Sequence, residues 1–266
     1  MKNKRFLPLL VLPFFLASCD LNLNFDELTR EEANQILQDI MNHIEENKTD
    51  YTTSSYTALV NVYDEQGTLQ NKSSIKLDDN DYKFEMIAET PKTSPIGQAS
   101  YDKVIWIDGT TIKYYDRVIS PKYETDVERK YMLNIEDEQL RVEKFHQLME
   151  AHGGFDLFEV STYLVTLITN PTIVQDELPG LETSYTSSKD GWINGTVKDM
   201  TGTDNITVDL NIEDYKVKDA YGNGIIDGTY FQFDLEISYM IPFVNIPLTE
   251  YNSDLQPIPD QPDFNF

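Results

Sequence analysis

The sequence predicts an α+β protein, mainly antiparallel β, in which a curved sheet or half-open β-barrel carries an N-terminal helix and a helical insertion covering one face. Three observations predict this class. Stretches with a period of two occupy both halves of the chain, separated by turns rich in Gly, Asn and Asp. Residues 27–47 have a helical period, and so do 136–151 and 155–168, which lie between the two groups of strands.

The first helix is predicted over residues 27–47. Thr29 and Glu32 stand at the spacing of a capping box. His43 lies beside the apolar stripe, and we interpret it as a boundary residue rather than a ligand. The stripe itself consists of Ile36, Leu37, Ile40, Met41 and Ile44, which recur at helical intervals.

From Tyr51 the period changes to two, which predicts an antiparallel meander. Asp108-Gly109 is the strongest two-residue hairpin signal in the chain. Residues 91–97 are predicted as a loop. The predicted strands of this half cover approximately residues 56–63, 68–77, 82–88, 101–107 and 110–115.

The helical insertion begins with three acidic residues suited to the positive end of a helix dipole. Gly153-Gly154 separates its two helices. The second helix, 155–168, is assigned from apolar residues at a period near 3.6, although the stretch is apolar enough for a buried strand. Asn170-Pro171 is predicted to end it.

The C-terminal half returns to strands, and two of them alternate cleanly between an apolar and a polar face. Pro242 and Pro247 limit any later strand to an edge. Residues 251–266 are Pro-rich and acidic and are predicted to be disordered. The predicted strands cover residues 181–188, 192–199, 205–213, 215–219 and 229–240.

The N-terminus carries the most specific motif. A basic start precedes an apolar run over 6–16, too short for a bilayer that needs about 20 apolar residues. Leu16-Ala17-Ser18-Cys19 resembles the lipobox of bacterial lipoproteins, in which the cysteine accepts a diacylglyceryl group and becomes the new amino terminus. The alternative is an ordinary helix in which Cys19 is one more apolar side chain.

This resemblance implies that residues 1–18 are a signal peptide and that 19–26 form a lipidated tether. From the length and the strand patterning of the remaining chain, we expect residues 27–250 to form a single β-rich domain. The expected location is the extracytoplasmic face of the cell membrane, held by the acyl anchor on Cys19. Cys19 is the only cysteine, so its acylation leaves no thiol for disulfides or metal sites. A net charge of −25 argues against nucleic acid as a partner.

The order of elements resembles the curved, half-open barrels of LolA-type and LppX/LprG-type lipoprotein and lipid carriers, and residues 101–109 (YDKVIWIDG) are the best local match. The resemblance implies a cavity for a lipid or another hydrophobic ligand. The alternative is that the same side chains close a dry core. The candidate lining residues are Tyr82, Phe84, Met86, Val104, Trp106, Tyr114, Phe145, Leu148, Phe155, Phe158, Leu164, Phe231, Phe233 and Tyr239.

No catalytic, cofactor or metal site is predicted. Glu143, His146 and Glu150 share a helical face but need a ligand from elsewhere. Residues 219–230 fail the EF-hand pattern and are interpreted as a β-turn. An enzyme, such as a hydrolase of envelope polymers, is therefore not expected, and no protein partner can be named. The alternative to ligand binding is a surface-displayed interaction or envelope-structure domain.

Overall fold

In a computed structural model, one antiparallel sheet organises the protein, and the described residues contribute twelve strands to it. The sheet is curved and unclosed, and helices lie against it, which confirms the predicted α+β class. The structure describes residues 26–93, 97–174, 181–187, 192–199, 205–226, 229–248 and 250–251.

The strands follow the chain in two groups. They are β1 (Asp26–Leu28), β2 (Tyr56–Tyr63), β3 (Leu69–Asp78), β4 (Lys83–Thr90), β5 (Ala99–Asp108), β6 (Thr111–Ser120), β7 (Thr125–Asn134), β8 (Leu181–Ser187), β9 (Trp192–Asp199), β10 (Asn205–Glu213), β11 (Lys216–Ile226) and β12 (Thr229–Ser238). Their spatial order is β1-β8-β9-β10-β11-β12-β2-β3-β4-β5-β6-β7. The pairing of β12 with β2 therefore joins the two predicted meanders into one sheet.

Within the part of the chain that the structure describes, a short 3-10 helix (Pro121–Tyr123) connects β6 to β7, and four α-helices cover one face of this sheet. They are α1 (Arg30–Glu46), α2 (Lys48–Thr52), α3 (Glu138–Ala151) and α4 (Leu157–Val174). α3 packs on β5 and β6, α4 packs on β8 to β11, and α1 contacts both α4 and β8. We call the face under the helices the inner face and the opposite one the outer face.

The predicted capping box starts α1. The Glu32 amide donates to Thr29 Oγ1 at 3.2 Å, and the Thr29 amide donates to Glu32 Oε2 at 2.9 Å. These reciprocal bonds satisfy two backbone donors that a helix start leaves open. They also favour the ionised carboxylate and lower the pKa of Glu32. Ala33, Leu37, Ile40 and Ile44 bury the apolar stripe against the sheet and α4.

The glycine pair after α3 permits close packing of the insertion on the sheet. Gly153 has a φ of +103° and lies against the Met86 side chain. A Cβ on Gly154 would come within 2.8 Å of Phe84 Cε2 and would clash with Met149. A residue with a side chain would therefore push α3 away from β4.

A second, smaller core lies on the outer face. Val104, Trp106 and Tyr115 pack there with Val244, and Ile246 and Tyr251 lie against them. The Asn245 amide donates to Glu85 Oε2 at 3.0 Å, so the chain after β12 is fixed across the outer face. Tyr251, predicted as the first residue of the disordered tail, instead packs edge-on against Trp106, with ring centroids 5.4 Å apart.

Five local predictions need correction. Residues 26–28, predicted as the end of the tether and the start of the first helix, form β1 because they pair with β8, and α1 begins only at Arg30. The meander starts at Tyr56, since α2 occupies residues 48–52. β7 was not predicted. α4 continues through Pro171 to Val174, although proline removes one helical hydrogen bond. Residues 219–226, interpreted as a β-turn, extend β11 because they pair in register with β12.

Some predictions fall outside the described residues. They include the signal peptide, Cys19, the tether up to residue 25 and the tail from residue 252. Among the helices that the structure does describe, none combines the length and the hydropathy that crossing a bilayer requires.

Candidate ligand cleft

The candidate lining residues belong mostly to the packed core. Phe84, Tyr114 and Phe145 are fully buried, and Phe155 stacks on Tyr56 with ring centroids 4.8 Å apart. Phe231 stacks on Phe233, with centroids 6.4 Å apart. Eleven of the candidates lie in or against the main core: Tyr82, Phe84, Met86, Tyr114, Phe145, Leu148, Phe155, Phe158, Leu164, Phe233 and Tyr239.

Val104 and Trp106 lie apart from the other candidates. The sequence grouped them with the inner-face residues, but the structure places both on the outer face, in the second core. The reason is that residues 104–107 are all apolar, so alternation does not indicate which face is inner. The outer side of this run is covered by Val244, Ile246 and Tyr251, which are distant in sequence.

A cleft of about 400 Å³ lies between α1 and the strands at the β8–β10 side of the sheet. This volume falls within the range of about 300–1,000 Å³ that small-molecule sites occupy. None of the candidate residues from the sequence lines it. Its lining is mostly apolar and consists of Ile36, Ile40, Ser187, Trp192, Ile193, Ile212, Asp214 and Tyr215.

Local structure explains why these side chains meet. Ile36 and Ile40 are one helical turn apart on the buried stripe of α1. Ser187 and Ile193 are paired across β8 and β9, so they lie on the same face. Ile193 is opposite Leu210, a fully buried inner-face residue, which fixes that face as the inner one.

The β10–β11 turn forms one side of the cleft with an unusual backbone. Asp214 and Tyr215 have φ values of +49° and +61°, in the left-handed region that a two-residue hairpin requires but usually fills with Asn-Gly. Such a conformation costs roughly 1–3 kcal/mol per residue without glycine. It is held because Tyr215 stacks on His43 at 4.0 Å and its carbonyl accepts the Tyr51 hydroxyl at 2.6 Å.

The cleft lies at the end of the sheet where the N-terminal segment joins it. β8 runs toward Ser187, and Asp26 pairs with Ser187 at the start of β1. β10 and β12 also end on this side, because both are antiparallel to β9 and β11. We call this the tether end. The residues that lead from Cys19 to Asp26 are therefore connected to the body beside the cleft.

A polar cluster lies on the inner face near β7, with four of its five side chains buried and Arg129 partly exposed, and sequence analysis missed it. We use this name for Lys103, Tyr114, Asp116, Arg129 and His152. Arg129 Nε donates to Asp116 Oδ1 at 2.9 Å, and the Tyr114 hydroxyl donates to Asp116 Oδ2 at 2.8 Å. Lys103 Nζ donates to the His152 carbonyl at 3.5 Å, which connects β5 to the end of α3.

Burial sets the titration of this cluster. Lys103 is 4% exposed, and its pKa falls to about 8 because burial disfavours the ammonium; Asp116 opposes this shift and Arg129 adds to it. Burial and the neighbouring Asp116 raise the pKa of Tyr114. The Asp116 hydrogen bond raises the pKa of Arg129. Because its groups bond to one another, the cluster acts as a structural link between the sheet and α3.

A metal centre finds no support in the described part of the chain. No group of three or more His, Cys, Asp or Glu side chains there is placed to hold an ion. His146 Nε2 instead lies 2.6 Å from Asp79 Oδ1. Asp79 follows β3, so this pair fixes α3 against the sheet.

The sequence indicated only two of the residues that line the cleft, and it did not indicate the cleft itself. Ile36 and Ile40 belong to the predicted stripe, but that stripe does not indicate an unfilled space beside it. The chemistry of the lining suits an apolar chain with a polar end group near Asp214 and Ser187. Compared with protein-family models and with curated proteins, the sequence gives no match.

Proposed function

We propose that this chain is a lipid-anchored extracytoplasmic lipoprotein that binds or carries a lipid or another hydrophobic ligand in the cleft between α1 and β8–β10. The observation that carries the proposal is the apolar cleft of about 400 Å³ beside the point where the N-terminal segment joins the sheet. The anchor is proposed from the sequence around Cys19.

The lining of the cleft supports a hydrophobic ligand. Ile36 and Ile212 are only partly buried and Tyr215 is 45% exposed, so these apolar groups retain contact with water. A bound acyl chain would remove this surface from water, at about 25 cal/mol for each Å² buried. No proton transfer or nucleophile is required, so we propose binding rather than catalysis.

A matched pair of variants tests the ligand site. Ser187→Trp places an indole on the inner face at the cleft, and Thr186→Trp places one on the outer face of the same strand. The full chain is isolated from membranes, and its bound lipid is measured by native mass spectrometry and by extraction. We expect bound lipid in the wild type and in Thr186→Trp, but little in Ser187→Trp.

Two results would contradict the proposed ligand site. A wild-type chain that carries no lipid and takes up none when mixed with fatty acid would reject ligand binding. Equal lipid content in the two tryptophan variants would reject the location. The anchor is tested separately, because Cys19→Ala should release the chain from the membrane fraction.

The second candidate is a surface-displayed interaction domain without a small-molecule ligand. Its support is that the side chains predicted to line a cavity pack together in the core. Large apolar residues after β12 are also exposed, which is common at interaction surfaces. A lipid-free chain that binds an envelope protein through these residues would favour this candidate.

A further inference from the structure

The chain after β12 exposes an unusual set of large apolar side chains. Phe243 is 84% exposed and Leu248 is fully exposed. Single exposed apolar residues are common, but four within nine residues concentrate exposed apolar surface on one segment, which is typical of a binding surface. We call Met240, Ile241, Phe243 and Leu248 the apolar patch; Met240 and Ile241 are 72% and 66% exposed.

The apolar patch is displayed on a fixed segment of backbone. Val244, in the middle of it, is 6% exposed and packs with Trp106 in the outer core. The Asn245 amide is bonded to Glu85, a residue of β4 that is itself buried. Pro242 and Pro247 restrict the backbone on either side. Val244 therefore points toward the sheet, and the neighbouring apolar side chains are held toward solvent.

The position of the patch indicates what it contacts. β12 ends at the tether end of the sheet, so Met240 follows on the same side as the cleft and the start of β1. Asp26 follows Cys19 by seven positions in the chain. Even fully extended, seven steps of the chain reach only about 25 Å. An acyl group on Cys19 would therefore hold this end of the sheet close to the bilayer.

We propose that the apolar patch inserts into the outer part of the bilayer and turns the cleft toward the lipid, an inference that rests on the proposed anchor. Phenylalanine, leucine, isoleucine and methionine favour the boundary between headgroups and acyl chains. The chain's net charge of −25 gives no reason to expect preference for anionic lipids. We therefore expect the apolar patch to insert into a bilayer of zwitterionic phosphatidylcholine alone.

The test uses tryptophan emission and lipids brominated in their acyl chains, which quench an indole that enters the bilayer. Phe243→Trp places the reporter in the patch. Val127→Trp is the matched control, since Val127 is 46% exposed near the start of β7, away from the tether end. Trp106 and Trp192 supply the same background emission in both proteins.

The full chain is attached to phosphatidylcholine vesicles through residue 19, whether Cys19 is acylated or carries a free thiol. An acylated chain inserts through its own lipid, and a free Cys19 thiol is coupled to a maleimide phospholipid. The mass of Cys19 therefore reports on the anchor, and the quenching reports on the patch. A failure of one is distinguishable from a failure of the other.

We expect brominated lipid to quench the added emission of Phe243→Trp and to leave that of Val127→Trp nearly unchanged. Phe243→Ser should lower the docked-to-undocked ratio of the attached chain by about tenfold, as expected from losing one buried aromatic side chain. Equal quenching at positions 243 and 127 would overturn the proposal. Binding of the patch to an envelope protein, with its indole still unquenched, would overturn it as well.

Discussion

Replacing Lys103 by methionine should change how the stability of the fold depends on pH. The pKa of Lys103 falls from 10.5 in the unfolded chain to about 8 in the folded one. At about 1.36 kcal/mol for each pKa unit, holding the ammonium in the sheet at pH 7 costs about 3 kcal/mol. Methionine keeps a similar length without the charge, so this cost disappears.

The sign of the effect follows from proton binding. Between pH 8 and about 10.5 the unfolded chain binds more protons at this lysine than the folded one, so stability rises with pH across that window. Wild type should therefore gain about 2 kcal/mol relative to Lys103→Met between pH 7 and pH 10. Above pH 10, buried tyrosines such as Tyr51, with a pKa raised to about 12, reverse the trend in both proteins.

Urea unfolding at several pH values measures this difference. The free energy of unfolding is extrapolated for both proteins from pH 7 to pH 10. Lys76→Met is a suitable control, because Lys76 is paired with Glu85 on the outer face and lies outside the polar cluster. If wild type and Lys103→Met showed parallel pH profiles, the argument that burial suppresses the charge of Lys103 would be refuted.

Three further changes test the packing. Thr29→Ala removes the cap of α1 and should lower the free energy of unfolding by about 1 kcal/mol in urea titrations, while Thr29→Ser should retain most of it. Gly154→Ala should cost about 1–3 kcal/mol, because its methyl group meets Phe84, and an unchanged Tm would contradict the close packing. Val244→Ala should cost about 1–2 kcal/mol and shift Trp106 emission, whereas Phe243→Ala should alter the free energy of unfolding by less than about 0.5 kcal/mol.

The sequence predicted those helices and strands whose caps, turns and apolar periodicity all indicate the same element. α1 was found because its cap and its apolar stripe both point to the same helix. β7 was missed because Arg129 occupies an inner-face position and charged residues fill the neighbouring ones. Charges are common on edge strands, where they discourage pairing with other chains, and they hide the alternation.

The cleft and the second core could not be predicted because distant segments create them. Ile36 and Tyr215 meet only after α1, β8 and the β10–β11 turn have assembled. Trp106 is buried by Tyr251 and Val244, which follow it by more than a hundred residues. Periodicity describes which side chains share a face, but it does not show what covers that face.

The most direct measurement of the central claim is photocrosslinking with a fatty acid that carries a diazirine near its methyl end. The full chain is loaded, irradiated and digested, and the modified peptides are identified by mass spectrometry. We predict crosslinks to α1 around Ile36 and Ile40 and to β9 at Ile193. Crosslinks confined to residues 240–248, or none above the level of the Ser187→Trp variant, would contradict a ligand site in this cleft.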